Sequence, residues 1–189
     1  MILIGISGKK RSGKDTAAQC IINCCEEKNA VIIRFADRLK EVVMDCFVPP
    51  EMMHMDWEEL KNIELPCGYT GRELLQRVGT EYFRGIWPDV WLNTYKKDIE
   101  QQRQYDSIMH QESVVITPDV RFPNEAHYQK SQGGILIRLT KTVGIDNHES
   151  ETAMDYYDGY DFIIDNQDMN VVEQNIAIQE LVLREGLLQ

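Results

Sequence analysis

Gly8-Lys9-Lys10-Arg11-Ser12-Gly13-Lys14-Asp15-Thr16 follows directly on the apolar run Ile2 to Ser7, and its reading sets that of the rest of the chain. The run before it is short, rich in isoleucine and nearly all apolar, as a strand buried on both faces must be. After it, Ala18, Ile21, Ile22 and Cys25 recur at the spacing of one helical face, which leaves Asn23, Glu26 and Glu27 for solvent. Between strand and helix, the spacing G-x-x-x-x-G-K is that of a phosphate-binding loop. The glycines permit the turn, successive backbone N–H groups point inward, Lys14 reaches the outer phosphates, and the helix presents its positive N-terminus. The residue after Lys14 is Asp15, where many such loops carry a Ser or Thr bound to magnesium, and Thr16 comes next. A magnesium ion would then be organised by Asp15, directly or through water, and by a more distant carboxylate.

Working outward, Ala30 to Phe35 reads as a second strand, and Leu39, Val42, Val43, Cys46 and Phe47 give a helical face that Pro49-Pro50 ends. No strand-like run occurs between Glu51 and Gln104. Helical patterns fill that stretch, one over Gly71 to Arg84 and one that Pro88 can open, carrying Trp91, Leu92, Tyr95 and Ile99. Strands resume at Val114 to Thr117, Gly134 to Leu139 and Phe162 to Ile164, with helices over Pro123 to Gln132 and Val171 to Glu185. Five short apolar strands alternating with helices predict an α/β fold: a five-stranded parallel sheet with helices on both faces. The expected layout is one domain over 1–189, with a core of 1–47 and 105–189, a helical insertion of about 48–104 and a polar lid of about 140–152. Ligands of such sheets bind at the carboxyl ends of the strands, so functional residues are sought there.

After the third of these strands comes Pro118-Asp119-Val120-Arg121-Phe122-Pro123-Asn124-Glu125. An acidic residue here is placed to orient magnesium, which Asp119 fits. Arg121 suits either the charge on a moving phosphoryl group or a bidentate grip on an acceptor phosphate. The plainer readings are an ordinary turn at Asp119 and a first helical turn for Asn124 and Glu125. Asp37 reads as a helix N-cap, while Arg38 and Lys40 offer cations for a second phosphate. In the insertion, Arg72, Gln76, Gly79, Thr80 and Phe83 share a stripe at helical spacing: a cation, an amide able to read a base edge, and a residue without a side chain where a planar ring can approach. Trp91 or Phe83 can stack on such a ring, or serve as core. Arg138 ends the fourth strand, and His148-Glu149-Ser150-Glu151 lies in the polar loop without a second histidine at metal spacing.

Composition narrows the classes further. The 189 residues hold 20 Lys+Arg against 31 Asp+Glu, a net charge of −11, with 43% hydrophobic residues. Such a balance is unsuited to coating nucleic acid or anionic membranes, so an anionic ligand needs a local basic cluster. Lys9, Lys10, Arg11 and Lys14 supply one. Five cysteines without a CxxC pair suggest neither a disulfide framework nor a zinc site and fit a reducing cytoplasm; Cys20 and Cys24, one helical turn apart, read as inert thiols on a buried face in preference to a shared metal site.

With these residues in view, the chain resembles the deoxynucleoside monophosphate kinases known chiefly from bacteriophages, within the nucleoside monophosphate kinase group of phosphate-loop proteins. The likeness runs through KKRSGKDT, FADRLKE, TGRELLQRVGTEYFR with the following Trp91, PDVRFPNEA and HESE. It implies transfer of the γ-phosphoryl group of ATP, with Mg2+, to a deoxynucleoside monophosphate, on a body of core, acceptor-binding insertion and lid. It also implies that Arg11, Gly13, Lys14, Asp15 and Thr16 hold the donor phosphates, with Arg138 joining from the lid side. Arg38, Lys40, Arg72, Gln76, Gly79, Trp91, Asp119, Arg121 and Glu125 would form the acceptor pocket. Lys14, Asp15 and Arg121 would carry catalysis, and Asp15 and Asp119 the metal. Gly71 departs from the proline common in similar sequences and loosens the expected helix start. The resemblance implies small-molecule partners, no nucleic acid or membrane, a monomer or homodimer, and a cytoplasmic setting, the host's if the chain is viral. The rivals are a kinase of another phosphorylated acceptor, such as phosphomevalonate, and a nucleotide-dependent switch; the guanine-reading N/TKxD and the DxxG of GTP switches are both missing from the sequence.

Overall fold

β1 (Ile2–Ser7) forms the centre of a parallel sheet, because five of its six residues are buried and both of its edges are taken. A computed structural model describes residues 1–25, 28–144 and 146–188; Glu26 and Glu27, expected on the solvent face, lie outside the described residues. The sheet runs β2-β3-β1-β4-β5, with β2 at Asn29–Ile32, β3 at Ser113–Thr117, β4 at Ile135–Leu139 and β5 at Phe162–Ile164. Every pairing is parallel, with Ile4 of β1 opposite Ile116 on one side and Ile135 on the other. The chain is therefore an α/β protein built on a five-stranded parallel sheet, as expected. β2 is shorter than the run Ala30 to Phe35 suggested: it covers Asn29 to Ile32, the Ile33 N–H still donates to the Ile116 carbonyl at 3.2 Å, and Arg34 turns away to meet Asp15.

The chain divides into two compact units, Met1–Arg34 with Tyr95–Gln189, and Phe35–Thr94. In the first unit, α1 (Lys14–Cys24) and α8 (Val171–Arg184) pack on one sheet face. Ala17, Ala18, Ile21 and Ile178 meet Ile4, Ile6, Val114, Ile116, Ile137 and Leu139 in one buried cluster. Each such isoleucine, leucine or valine contributes about 1.5–3 kcal/mol, so this cluster is a large part of the unit's stability. Cys20 and Cys25 are buried, and burial followed by neighbouring Cys24 pushes the Cys20 thiol up to about 11, consistent with an inert thiol. α6 (Pro123–Ser131) packs against β1 and β4, and α5 (Val90–Met109) brings Tyr95 to the third strand's end. There the Tyr95 hydroxyl lies 2.7 Å from Thr117 Oγ1 and accepts from Gln129 Nε2 at 2.8 Å, so a fully buried phenol is satisfied.

The second unit is helical. It holds α2 (Asp37–Phe47), a 3₁₀ turn at Pro50–Met52, α3 (Trp57–Leu60), α4 (Gly71–Gln76) and a π-helical stretch Arg77–Arg84. Its core is Leu39, Val43, Val48, Leu60, Leu65, Leu74, Val78 and Trp91. Gly71 does not loosen the start of α4. Thr70 and Glu73 form a reciprocal capping box there, and a Cβ on Gly71 would stand 2.9 Å from the Leu60 carbonyl oxygen. Asp37 is the first residue of α2 rather than its cap, and it pairs with Lys40 at 3.7 Å. Pro88 precedes the helix that it was expected to open; its carbonyl accepts from Arg84.

Candidate active site

The loop that the sequence reads as phosphate-binding forms because residues 8–13 turn between the buried end of β1 and the start of α1. Arg11 and Gly13 adopt left-handed conformations, with φ of 60° and 92°. A side chain on Gly13 would be strained there and would also stand 2.3 Å from Gln174 Oε1. The outer wall is pinned by two buried amides. Asn166 Nδ2 donates to the Ser12 carbonyl at 2.8 Å, and Gln174 Nε2 donates to that of Gly13 at 3.1 Å. Inside the turn, the Ser12 hydroxyl is fully buried and finds no hydrogen-bond partner among the described residues.

Lys14 folds back over this loop. Its ammonium donates to the carbonyls of Gly8 and Lys9, both at 2.7 Å, and the residue is only 7% exposed. Burial, and next the positive charge of Arg121, pull its pKa down to about 8, against the opposing charges of Glu151, Asp15 and Asp119. A cation disfavoured by burial and by Arg121 is poised to gain from any anion that enters the loop. Lys9 is tied to Asp155 and to the Glu151 carbonyl, and Lys10 Nζ lies 3.9 Å from Asp146.

β1 and β3 are neighbours whose onward connections lead to opposite sides of the sheet, the switch point where ligands of such folds bind. Just beyond β3, Asp119 is 8% exposed and Arg121 follows it. Glu125 is almost fully buried because its carboxylate accepts from the backbone N–H groups of Arg121 at 2.8 Å and Phe122 at 3.1 Å. It therefore shapes the turn that carries Arg121. On β4, Arg138 donates to Ser7 Oγ at 3.2 Å, lies over the Tyr160 ring and has Asp155 at 3.9 Å. Lys14, Arg121 and Arg138 thus surround the carboxyl ends of three adjacent strands.

No family model matches the chain. A protein of Acanthamoeba polyphaga mimivirus, named "Putative deoxynucleotide monophosphate kinase", is 32% identical over 177 residues, covering 88% of this chain and 89% of the relative. The chain belongs to the deoxynucleotide monophosphate kinase family.

The remaining residues that this family membership brings into question lie in the second unit. Arg38 pairs with Glu41 at 2.8 Å, Arg72 and Gln76 are half-buried on α4, and the Arg72 backbone N–H donates to Lys61 O at 3.1 Å. The stripe drawn from Arg72 to Phe83 assumed an α-helical period throughout. The π-helical stretch begins at Arg77, and its wider turns break the regular three-and-four spacing beyond Gln76. Gly79 has a packing reason of its own: a Cβ there would stand 2.4 Å from Leu39 Cδ2. Trp91 is 5% exposed, donates its indole N–H to the Gly79 carbonyl at 2.9 Å and carries Phe83 against it, ring centroids 5.3 Å apart. The ring of Phe83 is the more exposed of the two, at 38%.

Sequence reasoning missed Asn166, Gln174 and Glu151. Asn166 stands just beyond a strand end, the signal used elsewhere in the chain, so it was within reach. Gln174 lies inside a helix 161 positions from the loop it holds, and spacing carries no trace of that contact.

Proposed function

We propose that this protein transfers the γ-phosphoryl group of ATP to a deoxynucleoside 5′-monophosphate, giving ADP and the diphosphate. The observation that carries the proposal is the phosphate loop with a buried, unfavourably charged Lys14 and a half-buried Arg121 within its field. Membership of the family supports the choice of acceptor.

In this reading Arg11, Gly13, Lys14, Asp15 and Thr16 hold the donor phosphates, joined by Arg138. Arg38, Lys40, Arg72, Gln76, Gly79, Trp91, Asp119, Arg121 and Glu125 serve the acceptor, with Glu125 acting through the Arg121 turn and Trp91 through the packing of Gly79 and Phe83. The acceptor phosphate is already a nucleophile at neutral pH, so the work is alignment and charge neutralisation by Lys14 and Arg121. The buried carboxylate of Asp119 suits a divalent ion facing the loop; Asp15, whose Oδ1 lies 3.0 Å from Arg34 Nη2 and whose side chain is largely exposed, suits contact through water. Held there by Asp119, and through water by Asp15, magnesium would supply positive charge that offsets the phosphates. The polar stretch 140–152 acts as a lid that keeps water from the transferring group.

The direct test follows the label. With ATP radiolabelled at the γ-phosphate, label should appear in the deoxynucleoside diphosphate; label released only as inorganic phosphate would contradict transfer. Arg72→Ala should raise KM for the monophosphate at least about tenfold, as loss of a charged contact does, with KM for ATP changed much less. Steady-state kinetics varying each substrate in turn measures this split, and a selective loss of ATP affinity would put Arg72 on the donor side.

The pH dependence has a definite sign. An incoming polyphosphate stabilises the charged form of Lys14, so its pKa is higher in the complex than the value of about 8 in the ligand-free protein. Affinity is then full below about pH 8 and falls as pH rises above it, with uptake of a proton on binding in that range. Titration calorimetry of ATP in buffers of different ionisation enthalpy reads that uptake; affinity rising with pH above 8 would contradict it.

A further inference from the structure

We infer that Glu151 is a positioning residue that clamps the Arg121 guanidinium to the phosphate loop for phosphoryl transfer. The inference rests on the reading of that loop and Arg121 as phosphate-handling groups. α7 (Glu149–Thr152) is one short turn, opened by His148, whose Nδ1 accepts from the Ser150 backbone N–H at 3.2 Å. Its last acidic residue turns inward: the Glu151 side chain is 6% exposed, although Glu149 on the same turn faces solvent. Burying a carboxylate is costly unless both of its oxygens are well paired.

Here the two oxygens are paired with two different elements. Oε1 takes the Arg121 guanidinium through Nη1, and Oε2 accepts the Lys10 backbone N–H at 2.7 Å. The turn's main chain repeats the pattern, since Ser150 O accepts from Arg121 at 3.4 Å and Glu151 O accepts from Lys9 Nζ at 2.6 Å. Arg121 is thus fixed at both ends, its backbone N–H by Glu125 and its head by Glu151. The contacts among the described residues use one terminal nitrogen, so the other guanidinium donors keep a fixed direction toward an anion. Lys14 and Arg121 repel one another; Glu151 and Asp119 both favour the charged form of each, Glu151 the more strongly. A simple tie holding the lid shut would need only one of these bonds. The double grip on a loop N–H and an arginine head instead sets the distance between the loop and the arginine.

The test compares wild type, Glu151→Gln, Glu151→Asp and Arg121→Lys, and the double variant Glu151→Gln/Arg121→Lys. Glu151→Gln should lower kcat about ten- to a hundredfold, as a misplaced catalytic group does, with KM for ATP changed less than about threefold. Glu151→Asp, which keeps the charge but shortens the reach, should recover part of the loss. In the Arg121→Lys background, adding Glu151→Gln should cost less than about twofold, because the planar guanidinium that Glu151 orients is gone. An equal cost in both backgrounds would overturn the inference, as would a loss matched by the fall in folded fraction on thermal unfolding. Nitrogen NMR of the Arg121 side chain gives a readout independent of turnover: separate, slowly rotating Nη resonances in wild type, averaged in Glu151→Gln. Equal mobility in both proteins overturns the clamp. Absence of wild-type turnover with Arg121 immobilised would overturn the proposed function and leave the clamp standing.

Discussion

Replacing Lys14 by alanine is expected to lower kcat at least about a hundredfold, the usual cost of one preorganised charge contact to a transferring phosphoryl group. The fold should survive the change. Lys14 is a buried ammonium whose charged form is disfavoured in the ligand-free protein, so its removal relieves desolvation while freeing the Gly8 and Lys9 carbonyls, which lie at the loop that phosphates would enter. The expected result is therefore a thermal melt within a few degrees of wild type beside a near-complete loss of ADP formation. Retention of near-native turnover would count against the loop as the donor site, because Lys14 is the side chain that donates to its Gly8 and Lys9 carbonyls.

The second large effect is on stability. Trp91→Ala should cost about 3–5 kcal/mol, the range for removing a buried aromatic. That is a large part of the roughly 5–15 kcal/mol that holds a domain of this kind together. The indole lies among Leu39, Val43, Leu74 and Val78, donates to the Gly79 carbonyl and supports Phe83, so truncation empties the centre of the helical unit and also removes the indole's hydrogen bond to that carbonyl. Trp91→Phe keeps most of the ring and should lose mainly the hydrogen bond, about 1 kcal/mol. Urea unfolding followed by far-UV circular dichroism reads both values. A Trp91→Ala protein as stable as wild type but unable to bind the monophosphate would make the ring a ligand platform and not a core residue.

These two residues mark what could be read from the chain alone. The strand–loop–helix unit around Lys14 is local: the apolar run, the glycine spacing and the helical period all lie within about twenty-five residues, and the structure has β1 at the same bounds. The strands at Val114 to Thr117 and Phe162 to Ile164 were legible for the same reason, since buried parallel strands are short apolar runs. The helical unit was harder. A π-helical stretch has no sequence period of its own to announce it, so the stripe through Gly79 and Phe83 was drawn on the wrong geometry. Gly79 has no side chain because Leu39, forty positions earlier, needs the space. Glu151 illustrates the same limit in the site itself. His148-Glu149-Ser150-Glu151 reads as a polar lid, and only the folded chain brings its last carboxylate to Lys10 and Arg121.

The most direct measurement is ADP release from ATP in the presence of each deoxy- and ribonucleoside 5′-monophosphate in turn, with phosphomevalonate as the control acceptor. Marked acceleration by one or more deoxynucleoside monophosphates, abolished in Lys14→Ala, is the predicted result. No acceleration by any nucleotide, or acceleration by phosphomevalonate alone, would contradict it.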